Sequence, residues 1–228
     1  MTHKIISFYG ADLPDTIPQI QQRVFDKFGV KHTQLKFRDE GRSDRHSESM
    51  EEYMNANSDW DFITFMDIDC VPTNEHCVPR ILAALDDENT VYGNAQASNV
   101  YDSNIYKSPP FVGPGFFSLS RKVWETAKFK SLRFQWSPNP DGHVIEADVC
   151  EKFSHEARKQ GFRVVMAYPS KVITTPTWYY GGQFGYPKFA YGQGTEFDES
   201  GTFHNFIIRV PTAQHTFINY CKGLLNET

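Results

Sequence analysis

Phe62-Ile63-Thr64-Phe65-Met66 is a continuous apolar run, and it ends directly on Asp67-Ile68-Asp69. A strand with no polar alternation is one buried on both faces, the mark of a central strand in a parallel sheet. Its surroundings agree. Residues 4–9 form a short β-rich run closed by Gly10. From about Asp15, Ile20, Val24, Phe25 and Phe28 recur at helical spacing, with Pro18 in the first turn and Gly29 just past the end. A second extended run covers 31–37 and leads into a charged loop, 38–46. Ser49 and Glu52 then fit a capping box for a helix whose apolar face is Met50, Tyr53 and Met54. A helix near 76–86 and a strand at 90–94 complete a β-α-β-α-β-α-β order. That order predicts an α/β, doubly wound (Rossmann-like) domain with a central, mostly parallel sheet flanked by helices. Without an internal repeat or a low-complexity linker, one domain over 1–228 is expected.

The second half alternates differently. Residues 111–120 read as a strand interrupted by glycine, followed by a short helix from Arg121. A helix is expected over 146–160, stopping at Gly161, and a strand over 162–168. From 174 to 201 glycine, proline and aromatics recur without period, which predicts a long loop of the kind that often carries function. A hydrophobic fraction of 39% with 22% charged residues excludes a disordered chain. The net charge of −5 leaves no electrostatic footprint for nucleic acid or an anionic membrane. No apolar run approaches the ~18 residues of a membrane span. Four cysteines without close spacing, and no signal-peptide pattern at the start, lead to the expectation of a cytoplasmic protein with reduced thiols.

In an open α/β sheet, ligands bind beyond the carboxyl ends of the strands. Asp67 and Asp69 stand at such an end, where two carboxylates can approach one hard cation, Mn²⁺ or Mg²⁺, and leave positions open for phosphate oxygens. The tripeptide alone says little. With 15 Asp among 228 residues, chance supplies about one Asp-x-Asp, and the chain holds a second, Asp59-Trp60-Asp61. Position separates them. Asp59 and Asp61 precede the strand in a polar turn, where solvation suffices. Asp67 and Asp69 follow it, where buried charge needs a metal or a partner.

Residues 59–73 (DWDFITFMDIDCVPT) resemble the segment by which GT-A-fold, nucleotide-sugar-dependent glycosyltransferases hold a metal and their donor. Residues 113–125 (GPGFFSLSRKVWE) are similar to the glycine-rich strand, arginine and helix that border the donor sugar. Residues 146–168 resemble that family's acidic helix start, which ends in Gly-aromatic-Arg before a strand; here Ala147 separates Glu146 from Asp148. The matches span most of residues 1–170, in family order.

The resemblance implies a metal-dependent, hexosyltransferase-like enzyme. It would move a sugar from a nucleoside diphosphate donor, UDP favoured, to a carbohydrate or other hydroxyl acceptor. About 1–95 would bind the nucleotide and about 96–228 the acceptor. Asp69 would hold the cation, with Asp67 reaching it through water or touching the ribose. His204 would be the third ligand, with His215 in reserve. Ser7, Phe8 and Tyr9, at the first strand end, fall where the base is received, and Tyr9 would stack on it. Arg42, Arg45 and His46 are candidates for the phosphates, and Gly113 and Gly115 for the donor sugar. A carboxylate must take the proton of the attacking hydroxyl; Asp148 is the first choice and Glu146 the second. A helix start would keep that group ionised. Such a base implies inversion at the anomeric carbon. Trp178, Tyr179 and Tyr180 would grip the acceptor, because sugar C–H faces pack on aromatic rings.

Two other readings stand beside this one. Phe65-Met66-Asp67-Ile68-Asp69 also fits the nucleophile strand of a haloacid-dehalogenase-like phosphatase, although two α/β units precede it here. The aromatic segment alone would serve a non-catalytic sugar-binding module.

Overall fold

The computed structural model describes residues 1–37, 45–98, 108–133, 135–138 and 144–227, with the backbone alone at 135–138 and 144–146. Its main sheet has six strands. These are β1 (His3–Tyr9), β2 (Thr33–Lys36), β3 (Phe62–Met66), β5 (Thr90–Gln96), β6 (Phe111–Ser120) and β9 (Arg163–Ala167), in the order β2-β1-β3-β6-β5-β9. β1 runs parallel to β2 and β3, and β5 parallel to β9, while β6 is antiparallel to both its neighbours. All five residues of β3 are buried, as an unalternated run at the centre of a two-faced sheet requires. The architecture is a single α/β domain with a mostly parallel central sheet.

Helix α1 (Thr16–Lys27) buries Ile17, Ile20, Val24 and Phe25 in the core and ends at Gly29, whose φ of +66° is cheap for glycine. Phe25 is fully buried, so its truncation to alanine would cost about 3–5 kcal/mol. Helix α2 (Arg45–Ala56) departs from expectation, because it already begins at Arg45. Ser49 therefore lies a full turn inside, where the backbone N–H groups it would cap are bonded within the helix. The loop 38–44, with Arg42, lies outside the described residues.

After β3 the chain leaves the main sheet through β4 (Cys70–Pro72), a three-residue strand too short to show a period. α3 (Cys77–Ala84) follows, and α4 (Arg121–Thr126) continues from β6. β4 is the edge of a second sheet, β10 (Lys171–Val172), β13 (Thr195–Phe197), β14 (Thr202–His204) and β4, in the order β10-β13-β14-β4. The expected helix over 146–160 is instead β8 (Val144–Ala147), paired with β7 (Gln135–Pro138), then a turn, then α5 (Glu151–Lys159). Cys150, at φ 67°, breaks the helical path before Glu151. The expected loop at 174–201 contains strands β11 (Trp178–Tyr180), β12 (Phe189–Tyr191) and β13. β11 and β12 form an aromatic hairpin in which Trp178 stacks on Tyr191 and Tyr180 on Phe189, both pairs at 5.2 Å. Helix α6 (Pro211–Leu225) closes the chain against α1. No helix among the described residues is long and apolar enough to cross a membrane.

Candidate metal centre and adjoining cavity

Asp67 and Asp69 occupy the turn where the chain passes from the main sheet to the small one. That turn is fixed from three sides. The Asp67 amide donates to Gly115 O (3.1 Å), Asn205 N donates to Asp69 O (3.0 Å), and the buried Gln21 amide donates to both Asp67 O (2.8 Å) and Cys70 O (2.9 Å). β14 pairs with β4 so that His204 stands opposite Cys70, one residue beyond Asp69. The result is a cluster distant in sequence: His204 Nε2 lies 3.3 Å from Asp69 Oδ1 and 3.5 Å from Asp67 Oδ2. Gly115 makes room for it, since a Cβ there would fall 2.1 Å from His204 Cε1.

The donor set fits a divalent cation. One ligand atom from each of the three residues lies within 4.8 Å of the others. Neighbouring ligands of an octahedral ion at ~2.1 Å are about 3 Å apart, close to the two separations above. Two carboxylates and an imidazole suit Mn²⁺ or Mg²⁺. The electrostatics agree. Burial alone would push the His204 pKa down, but Asp69 and Asp67 outweigh it and raise it to about 9. For Asp67 burial opposes ionisation, yet His46, His204 and Arg209 together hold its carboxyl below the ordinary value. The two acids thus demand a positive charge between them, and the imidazolium supplies it when no ion does.

A cavity of about 380 Å³ opens directly onto this cluster, a size ordinary for small-molecule sites. Tyr9 and the edge of Phe8 line it, although Phe8 is mostly occupied in a core stack with Phe37 and Phe65. Ser7 is fully buried, its hydroxyl bonded to Gln21 and His32, and it is not among the lining residues. His46 lines the cavity with Nε2 3.1 Å from Asp67 Oδ1, whereas Arg45 faces a separate cavity between β2 and α2. Trp178 forms part of the wall. Tyr179 is 66% exposed, and Tyr180 is buried with its hydroxyl donating to Gln183 O. Strand alternation explains the split, because Tyr179 must point to the opposite face from its neighbours. His215 sits on the exposed side of α6, away from the cluster.

Asp148 also lines the cavity, in the turn before α5 rather than in the helix. Val149 N donates to its Oδ1 (2.7 Å), Gln96 Nε2 donates to its Oδ2 (2.9 Å), and its own amide donates to Glu151 Oε2 (2.9 Å). The Glu146 side chain lies outside the described residues. Gly113 lies against Gln96, away from the metal cluster, while Gly115 is the one that touches it. Sequence reasoning missed Gln96, Tyr191, Phe206 and Arg209, all in the wall. No local sequence signal marks them, but in the structure Phe206 (φ 49°) and Ile207 (φ 59°) hold a left-handed conformation costing roughly 1–2 kcal/mol per residue. Non-glycine strain of this kind clusters at functional sites.

No protein-family model and no curated protein matches the sequence. Solved structures do. Two structures of Drosophila β1,4-galactosyltransferase 7, one with manganese, UDP-Gal and xylobiose, overlap 76% of this chain and 67% of theirs at 16% and 17% identity, TM-score 0.44. A protein from Desulfovibrio desulfuricans described as a nucleotide-diphospho-sugar transferase overlaps 74% of this chain and 80% of its own at 11% identity, TM-score 0.38. These overlaps are partial, so the chemistry of the site is taken from its own residues.

Proposed function

We propose that this chain is a metal-dependent glycosyltransferase that moves a hexose from a nucleoside diphosphate, UDP favoured, to a carbohydrate or other hydroxyl acceptor, with inversion. The observation that carries this reading is the convergence of Asp67, Asp69 and His204 at a cavity that Asp148 also lines. When bound, the cation supplies Lewis-acid charge against the diphosphate leaving group. The protein's own groups do the rest. Tyr9 offers its ring to the base. His46 offers a ring nitrogen and Arg209, now paired with Asp12 at 2.9 Å, offers positive charge to the phosphates. Asp148 takes the proton of the acceptor hydroxyl as its oxygen attacks the anomeric carbon, and the bond to the diphosphate breaks with its electrons on the departing oxygen. Trp178 supplies an aromatic face for the acceptor ring.

In this reading about 1–95 form the nucleotide-binding half and about 96–228 the acceptor-binding half, except that His204 and Arg209, from the later half, serve the donor. A haloacid-dehalogenase-like phosphatase also needs a lysine beside its nucleophile, and among the described residues none lines the cavity, so that reading has less support. The test is a thermal-shift series with nucleoside diphosphates and their sugars, with and without Mn²⁺, since a ligand that binds only the folded chain raises its melting temperature. Stabilisation by UDP or a UDP-sugar that requires Mn²⁺ supports the proposal. Carbohydrate binding indifferent to metal and nucleotide would instead favour a sugar-binding module.

A further inference from the structure

Gln96 ends β5 at 8% exposure, opposite Phe111 on β6 and just beyond a register shift between Gly93 and Ala95. Its side chain lies flat on Gly113. A Cβ on that glycine would come within 2.0 Å of Gln96 Oε1 and 3.0 Å of both Gln96 Cβ and Cδ. One face of the amide is therefore held by bare backbone, while Nε2 at its other end donates to Asp148 Oδ2 at 2.9 Å. The other carboxylate oxygen takes the Val149 amide at 2.7 Å. Around it, Glu151 accepts from the Asp148 backbone N–H, Cys150 is buried beside it, and the Tyr191 hydroxyl donates to Ala97 O.

We infer that Gln96, seated on Gly113, is a positioning residue that aims the Asp148 carboxylate into the cavity and favours its ionised form. A neutral donor suits a base. A hydrogen bond to the charged form keeps it ready to accept a proton, whereas an ammonium or guanidinium in the same place would stabilise the anion so strongly that its basicity fell. The glycine adds what the amide lacks, a rigid seat that fixes its rotamer.

This rests on Asp148 being the base of the proposed transfer, so the test separates the two. Gln96→Leu removes the donor, Gln96→Asn shortens it out of reach, and Gly113→Ala displaces the amide. Each should bind UDP with Mn²⁺ within about twofold of wild type by calorimetry. Each should lose roughly tenfold to a hundredfold in kcat, the size of one hydrogen bond to a charged group. The acid limb of the kcat/KM profile should move to higher pH. Unchanged kcat and an unmoved limb in Gln96→Asn and Gln96→Leu would overturn the inference. If wild type transfers no sugar, the functional reading fails by itself. The inference is then read from a ¹³C carboxyl titration of Asp148, assigned with Asp148→Asn: an upward shift in Gln96→Asn supports it, and an unmoved value refutes it.

Discussion

The same tripeptide pattern stands at both ends of β3, with opposite physics. Asp59 and Asp61, before the strand, are solvent-facing. Asp59 pairs with Lys4 at 2.5 Å and Asp61 accepts from Thr2 N at 2.6 Å. Solvent screens such pairs, which contribute little. Asp67 and Asp69, after the strand, are taken out of water and face His46 and His204. Identical side chains six to ten residues apart thus differ in whether charge is solvated or must be answered by another charge. Location on the sheet, not composition, makes the second pair a candidate binding site.

This contrast can be broken at several points. The largest effect is expected from Asp69→Asn, which should abolish Mn²⁺-dependent nucleotide binding, a loss of roughly 100-fold or more by calorimetry, while circular dichroism stays native. Retained affinity would remove the metal site. Next is Gly115→Ala: its methyl group must displace the His204 ring, so we expect about 1–3 kcal/mol of destabilisation in urea titrations together with weaker Mn²⁺ binding. A third test uses pH. Ligation needs neutral His204, so Mn²⁺ affinity should climb as pH rises toward about 9. In metal-free protein the sign reverses. The folded-state pKa lies above the unfolded value of 6.5, so that stability is fully present below 6.5 and is lost as pH rises through about 9. Melting curves of the metal-free chain between pH 6 and 9.5 check this. The smallest effect belongs to the first pair: Asp59→Asn with Asp61→Asn should leave Mn²⁺ binding intact and shift melting by at most ~2 °C.

His3 and His32 sharpen the contrast from another side. Burial lowers each pKa to about 4, with no acid close enough to reverse it. Stability should hold above pH 6.5 and fall as pH drops from there toward 4, the opposite direction to His204. Replacing both by Gln should flatten the acid side of the melting profile.

Much of the frame was legible in the residues themselves. The unalternated run at 62–66 announced a buried central strand because desolvating both faces favours apolar side chains and tolerates a hydroxyl only with partners, as Thr64 has in His3 and Ser118. Pro18 and Gly29 bounded α1 because each carries its own backbone preference. Asp67 and Asp69 stood out by following that strand. Short-range chemistry of this kind leaves its mark in adjacent residues.

Tertiary structure alone decided the rest. β4 and β14 have three residues each, too few for any period, yet their pairing selects His204 over His215 and sets it against Gly115. Strand pleat, not aromatic content, put Trp178 in the cavity wall and turned Tyr179 outward. The left-handed turn at Cys150 moved Asp148 out of the expected helix and into reach of Gln96, 52 positions away. A contact between distant segments depends on how sheets pack, and packing is settled by the whole core at once, so no local stretch of residues records it.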